Sequence, residues 1–243
     1  STLEDQETVA QQFSKYGFLA MPVVDRESRL VGIVTIDDVL DVMEEETTED
    51  IEKMAAIVPA DKPYLKQTTF DLWKSRMPWL LLLMISATFT GLIITSFETA
   101  LAKYVILTAY IPMLMDTGGN SGSQASVTVI RALSLKEVEF RDIFRIIWKE
   151  IRVALLCGLT LAACNFAKLL FFDHLTIMVA FTICLTLLVT IFCAKIVGCS
   201  LPLLASRLGF DPAVMASPFI TTIVDAISLL VYFQFATHLL GLS

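Results

Sequence analysis

The chain has 243 residues, of which 56% are hydrophobic and 18% charged, with a formal net charge of −7. That balance is too apolar for an ordinary soluble enzyme, and an acidic surface disfavours nucleic acid while suiting divalent cations. The charge is also uneven: positions 1–76 carry 16 acidic and 8 basic residues and the rest is nearly neutral, so an acidic polar segment leads into a membrane segment.

The opening residues are polar and acidic, and no signal peptide is read there. Pro22 to Asp25 and Arg29 to Thr35 read as two short strands joined by a polar turn. Residues 36–43 follow as a helix, with Thr35 at its N-cap and Asp37 and Asp38 in its positive first turn. Strand–strand–helix is half of a small α/β unit, so residues 1–43 are expected to be one piece of a larger domain. A second helix is expected from Thr47, with Asp50 completing a capping box and Ile51, Met54, Ala55 and Val58 forming its apolar stripe. Glu44, Glu45, Glu46, Glu49, Asp50 and Glu52 crowd its start. Such a run is ordinarily a solvated face. Placed between a polar module and the first membrane span, it is also where divalent cations would relieve like-charge repulsion and act on a hinge. Residues 44–76 are therefore set apart as an acidic connecting helix, ended by Pro59 and Pro63.

From residue 77 onward hydropathy marks five spans, at about 78–97, 104–130, 153–172, 175–199 and 213–240, each near the roughly 20 residues a bilayer core requires. Arg131, Lys136, Arg141, Arg145, Lys149 and Arg152 crowd the connection between the second and third spans, and Lys62, Lys66, Lys74 and Arg76 precede the first. By the positive-inside rule the N-terminus faces the cytosol and, with an odd number of spans, the C-terminus lies outside. The segment from Leu135 onward alternates charge with apolar residues and predicts an amphipathic helix lying in the interface. The cysteines (Cys157, Cys164, Cys184, Cys193, Cys199) lack metal-type spacing and read as small buried hydrophobes. Five helices enclose a path poorly alone, and a two-fold dimer is the simplest way to line one.

Within the second span, Pro112 to Gln124 brings together a proline, three glycines (Gly118, Gly119, Gly122), Asp116, Asn120 and Gln124. This composition predicts a weakened helix whose backbone is packed against protein or lines a wet path. The fifth span holds one acid, Asp225, near its middle, and no Lys or Arg, so a cation in a wet pathway is the natural partner of that carboxylate. Thr221 and Thr222 lie one turn before it, and Pro218 is expected to free a carbonyl in the turn before that. The bland alternatives are a hydrogen-bonded carboxyl that ties helices together and, for Asn120 and Gln124, interhelical hydrogen bonds. Mg²⁺ dehydrates reluctantly, so an acidic ring with nearby hydroxyls suits capture of the hydrated ion. Asp116-Thr117-Gly118 also spells the aspartic-protease triplet, but that chemistry needs a β-rich frame and here the triplet falls inside an apolar span.

Pro112 through Gln124, with its Gly-Gly-Asn-x-Gly-x-Gln, resembles the signature of MgtE-type magnesium channels. Asp211-Pro212-Ala213 and the stretch from Ser217 to Asp225 resemble the last span of that family, and Gly32, Thr35 and Asp38 match the Gly-x-x-Thr-x-x-Asp element of a CBS domain. The resemblance implies an all-α polytopic membrane domain of five helices per protomer, working as a homodimer in the bacterial inner membrane. It adds an α/β CBS remnant and an acidic plug helix. It implies that Asp225 and the Thr221 carbonyl hold permeating Mg²⁺, and that Asp38, Asp41, Glu46, Glu49 and Asp50 bind regulatory Mg²⁺. Pro218, Thr222, Asp116, Gly118, Gly119, Asn120, Gly122 and Gln124 would line or gate the path, and an intact CBS domain would take ATP. Asp116 departs from the family pattern, which has glycine there, and adds a second acid near the path. The function expected is Mg²⁺ conduction gated by cytosolic Mg²⁺, with a proton- or Na⁺-coupled divalent-cation carrier as the alternative and no enzymatic activity.

Overall fold

A helix that the sequence reading did not anticipate, α1 (Gln6–Tyr16), opens the structure. Its signals are local: Asp5 caps it by accepting the Thr8 N–H at 3.1 Å, and Gly17 closes it with a left-handed φ of 67° while its N–H bonds the Phe13 carbonyl. The expected strands follow as β1 (Ala20–Val24) and β2 (Leu30–Thr35), paired antiparallel with Pro22 opposite Ile33. Asp25 builds the turn between them by accepting the Glu27 and Arg29 amides, each at 2.9 Å. The Arg29 backbone N–H, aided by its guanidinium, holds that carboxyl below its ordinary range. Ala10, Phe13 and Val39 form a small core with Met21 and Val34. This computed structural model describes residues 1–60, 62–215 and 217–241 and divides into two compact units, Ser1–Glu52 and Lys53–Ser243.

The helix after β2 differs from expectation. One unbroken α2 (Ile36–Met54) replaces the two helices predicted on either side of Thr47. Thr47 does not cap; its hydroxyl donates back to the Met43 carbonyl at 2.7 Å, as Thr48 does to Glu44 at 2.9 Å. In mid-helix this back-bonding satisfies the hydroxyl without breaking the ladder. At the true N-terminus, Asp38 accepts both the backbone N–H and the hydroxyl of Thr35, at 3.2 and 2.8 Å.

In the second unit, α3 (Thr69–Ser96) starts at a capping box between Thr68 and Asp71 and continues past Pro78. A short α4 (Glu98–Lys103) and a 3₁₀ segment, Val105–Tyr110, lead to α5 (Ile111–Ser134). Then come α6 (Ile143–Phe171), α7 (Ile177–Arg207), a 3₁₀ turn at Pro212–Met215, and α8 (Ser217–Leu240). Ala216, inside the fifth expected span, lies outside the described residues. Among the described residues four stretches are long and apolar enough to cross a membrane: Thr69–Ser96, Phe140–Phe171, Ile177–Arg207 and Pro212–Leu240. The second of the five expected spans is α5; it has the length, at 24 residues, but not the apolarity, because of its stretch from Asp116 to Gln124. No separate interfacial helix forms after Leu135. A 3₁₀ turn at Phe140–Asp142 passes directly into α6, so the basic residues from Arg145 onward ride on a membrane helix.

The core of this unit is built around α7, whose Ile183, Leu187 and Ile191 pack with Leu107 and Leu114 and with Leu229, Tyr232 and Phe233 of α8. Tyr232 is fully buried, and its hydroxyl donates to the Leu107 carbonyl at 2.9 Å. By contrast α3 buries only 6% of its apolar window and presents Leu81, Met84, Ile85 and Phe89 outward, as a lipid-facing helix does.

Candidate ion pathway

The glycine-rich stretch of α5 does not weaken the helix, as composition had predicted. Pro112 sits in the first turn, where its missing N–H costs nothing, and the helix continues through Gly118, Gly119 and Gly122 to Ser134. The glycines serve close packing instead. A Cβ on Gly118 would lie 2.7 Å from Thr190 Cγ2 and 3.0 Å from Val224 Cγ1, and one on Gly119 would lie 2.9 Å from Thr221 Cγ2. A Cβ on Gly122 would lie 2.8 Å from Ile220 Cγ2, and one on Gly198 of α7 would collide with the Gly122 carbonyl oxygen. Here α5 and α7 touch backbone to backbone, the arrangement small residues permit in membranes.

With that face pressed inward, the opposite face of α5 is fixed. Asp116, Asn120, Gln124 and Thr128 recur every fourth residue, and all are exposed in the single chain. Helical arithmetic then brings Asp116 level with Asp225. Gly118 meets Val224 and Ser228 while Gly122 meets Ile220 and Val224, so the two helices run antiparallel. One turn back from the Gly119–Thr221 contact on α5 and one turn forward on α8 are Asp116 and Asp225. Among the described residues neither carboxylate has a hydrogen-bond or ion-pair partner.

The hydroxyls beside Asp225 are oriented. Thr221 and Thr222 both donate to the Pro218 carbonyl, at 2.9 and 3.1 Å, and Ser228 donates to Val224 at 2.6 Å. On α5, Thr128 donates to Gln124 at 2.8 Å. With their hydrogens committed, these oxygens offer lone pairs only. A hydrated cation presents hydrogens outward and matches such a lining. Pro218 lies in the first turn of α8, where its missing N–H breaks no intrahelical bond, and its own carbonyl is the one shared by the two threonines; the Thr221 carbonyl takes the helical bond of Asp225.

The other expected ligands are spread out. Asp38 is occupied at the α2 cap, Glu46 accepts from Gln6 Nε2 at 2.9 Å, and Asp41 is exposed. Asp38, Asp41, Glu46, Glu49 and Asp50 fan over about half of the helix circumference. Among the described residues no group of three or more His, Cys, Asp or Glu side chains is placed to hold a metal. A single copy of α2 therefore offers carboxylate oxygens of the right chemistry but not a ready-made cage.

Two polar features, the first of them buried, escaped the sequence reading. Lys195 in α7 is 6% exposed at its side chain and lies 3.8 Å from Glu150 of α6, whose Oε2 accepts no hydrogen bond. A lone lysine in an apolar helix was itself the signal. Asp173, between α6 and α7, accepts from Lys168 Nζ at 2.6 Å and from the Tyr110 hydroxyl at 2.7 Å. The Lys168 bond, then the Tyr110 bond, holds its carboxyl below the ordinary range. In the same unit Lys53 pairs with Asp211 at 2.6 Å, while Asp211 accepts the Ala213 N–H at 2.8 Å, so the Asp211-Pro212-Ala213 motif is the start of the turn that feeds α8.

Residues 111–235 match the family described as MgtE, divalent cation transporter, and residues 4–45 match the CBS domain. The chain is 42% identical over 236 residues to a protein named Magnesium transporter MgtE from Thermus thermophilus, covering 97% of this chain and 52% of that protein. Proteins of the same name from Bacillus subtilis and Enterococcus faecalis are 38% and 33% identical, with 97% and 96% of this chain and 51% of each relative covered. The chain thus spans about half the length of the curated relatives it matches. With the family match falling on the helices that carry Asp116, Asn120 and Asp225, the chain belongs to the MgtE divalent cation transporter family.

Proposed function

We propose that this chain forms the membrane part of a Mg²⁺-selective channel in the bacterial inner membrane. Two copies related by a two-fold axis line a path for the hydrated ion, with the N-terminal unit in the cytosol and the C-terminus outside. The observation that carries the reading is the exposed polar stripe of α5 lying beside an unpartnered Asp225. Polar groups on a membrane helix need a wet or protein-lined surface, and a second copy facing the same stripe supplies one. Asp225 from each copy would hold the ion through its water shell, with Thr221, Thr222, Asn120 and Gln124 accepting from those waters and Asp116 adding charge. Leaving the shell in place keeps binding weak enough for release.

Regulation follows from α2. Its dense carboxylates gather cytosolic Mg²⁺ loosely, which lowers their mutual repulsion and favours a closed gate. An intact CBS domain, with Thr35 and Asp38 at its nucleotide element, would add ATP as a further effector.

The test is Mg²⁺ entry into liposomes holding the purified chain. Asp225→Asn, which keeps shape and removes one charge per copy, is expected to cut the flux at least tenfold. Cobalt hexammine, a fixed-shell stand-in for the hydrated ion, should block the wild type and lose potency in the variant. Normal flux in Asp225→Asn would refute the assignment. The closeness of two carboxylates favours one other reading, a carrier in which Asp116 or Asp225 exchanges a proton or Na⁺ for the divalent ion; fixed coupling stoichiometry instead of single-channel Mg²⁺ currents would select it.

A further inference from the structure

The rotation of α6 is fixed by what it buries: Ile146 and Ile147 pack on Val129, Cys199 and Leu203, and Glu150 faces Lys195. Its outward face in the first three turns therefore carries Phe144, Arg145, Trp148, Lys149 and Arg152. Phe144 is 82% exposed and Trp148 61%, and the same face runs on without interruption into exposed Leu155, Leu156 and Leu159.

Depth and pairing separate these cations into two sets. The apolar run of residues 153–172 supplies the roughly 20 residues that cross the hydrocarbon core. At about 1.5 Å per residue, Arg152 and Lys149 then lie on the order of 2 and 6 Å beyond its edge, inside a headgroup layer roughly 5–8 Å thick, and Arg145 lies about 12 Å out, in water. The cations in water have carboxylates: Arg141 with Glu139 at 3.2 Å and Arg145 with Asp142 at 4.0 Å. At headgroup depth, neither Lys149 nor Arg152 has a carboxylate partner among the described residues; the Arg152 Nε–H donates to the Trp148 carbonyl at 3.4 Å. Glu150, their neighbour in sequence, is turned inward to Lys195.

We propose that Lys149 and Arg152 hold the phosphodiester of an anionic phospholipid, with Trp148 beside its outer headgroup and Leu155 and Leu156 along its acyl chains. The charge complementarity is local to the layer where lipid phosphate sits, and the aromatic ring and aliphatic continuation give the rest of the lipid a seat. A soluble polyanion, or the chain's own acidic helix, would leave that apolar half uncovered.

The experiment is lipid retention, which does not depend on ion flux. The chain is reconstituted in vesicles of phosphatidylcholine with a minority of phosphatidylglycerol, released into mild detergent, and its bound lipid counted by native mass spectrometry. The wild type should keep phosphatidylglycerol in clear preference to phosphatidylcholine. Lys149→Gln and Arg152→Gln should each lower that preference about fivefold, the factor expected for one basic side chain near an anionic surface. Arg141→Gln with Arg145→Gln should leave it unchanged. Equal retention of the two lipids by the wild type, or loss through the outer pair instead of the inner one, overturns the proposal. So does displacement of the lipid by inorganic phosphate, or a preference that emerges only after Glu44, Glu45 and Glu46 are changed to Gln.

Discussion

Lys195 and Glu150 illustrate how differently one charge behaves alone and in company. Two opposite charges this far from water roughly repay their own desolvation, but either left without the other is a stranded ion. Lys195→Met is therefore expected to destabilise the chain by about 3–5 kcal/mol, read as a fall in the melting temperature in detergent. Lys195→Met combined with Glu150→Leu should recover most of the loss, and a double variant as unstable as the single one would show that the pair is not the source. Asp173 gives a prediction in pH. Its carboxyl is held below the ordinary 3.8 by Lys168 and Tyr110, so the stabilisation is present above that range and lost as pH falls through the lower, folded-state value. Melting temperatures from neutral pH down to about 3 should fall at the acid end for the wild type and fall less for Asp173→Asn. Asp225 was legible in the sequence because an unneutralised acid in an apolar span has few explanations. Lys195 was passed over because the reading of its span concerned hydropathy, where a single charge vanishes into the average.

At the scale of elements, the main revision concerns α5. Composition suggested a weakened helix whose backbone is packed against protein or lines a wet path; the helix is unbroken, the glycines let α7 and α8 pack closely against it, and their spacing turns Asp116, Asn120 and Gln124 outward. Sequence alone could not decide this, because both outcomes use glycine and differ only in what stands opposite. Gly122→Ala should cost about 1–3 kcal/mol as an overpacked contact and reduce Mg²⁺ flux, since its Cβ would come within 3.2 Å of the Ala194 carbonyl. Gly91→Ala on α3 meets nothing within 4 Å and is the matched control; it should be neutral or stabilising by up to about 1 kcal/mol from helix propensity. Similar losses for both would place the effect outside packing. The single long α2 was missed for a related reason: Thr47 and Asp50 have capping-box spacing, but cap and back-bond use the same residue types, and the neighbouring turns decided for the back-bond.

At the scale of the whole molecule, the order of parts was readable: an acidic polar unit first, then apolar helices with their basic residues gathered at one connection. What a single sequence could not convey is how far the acids of α2 spread around the helix. If they act as a loose reservoir of charge, no single ligand should be decisive. Glu46→Gln, Glu49→Gln and Asp50→Asn together should relieve the proposed inhibition by cytosolic Mg²⁺, and each alone should shift the inhibitory concentration only a few-fold. An unchanged block in the triple variant would leave the run as a solvated face.

The contact between Gly122 and Gly198 has a mechanical consequence. Where two backbones meet with no side chain between them, nothing can compress and nothing can slide without first lifting apart. The paired helices are then expected to move as one beam. In the proposed two-copy pathway, a change of bore is then expected to come from one beam tilting against its counterpart, while each beam keeps its own shape.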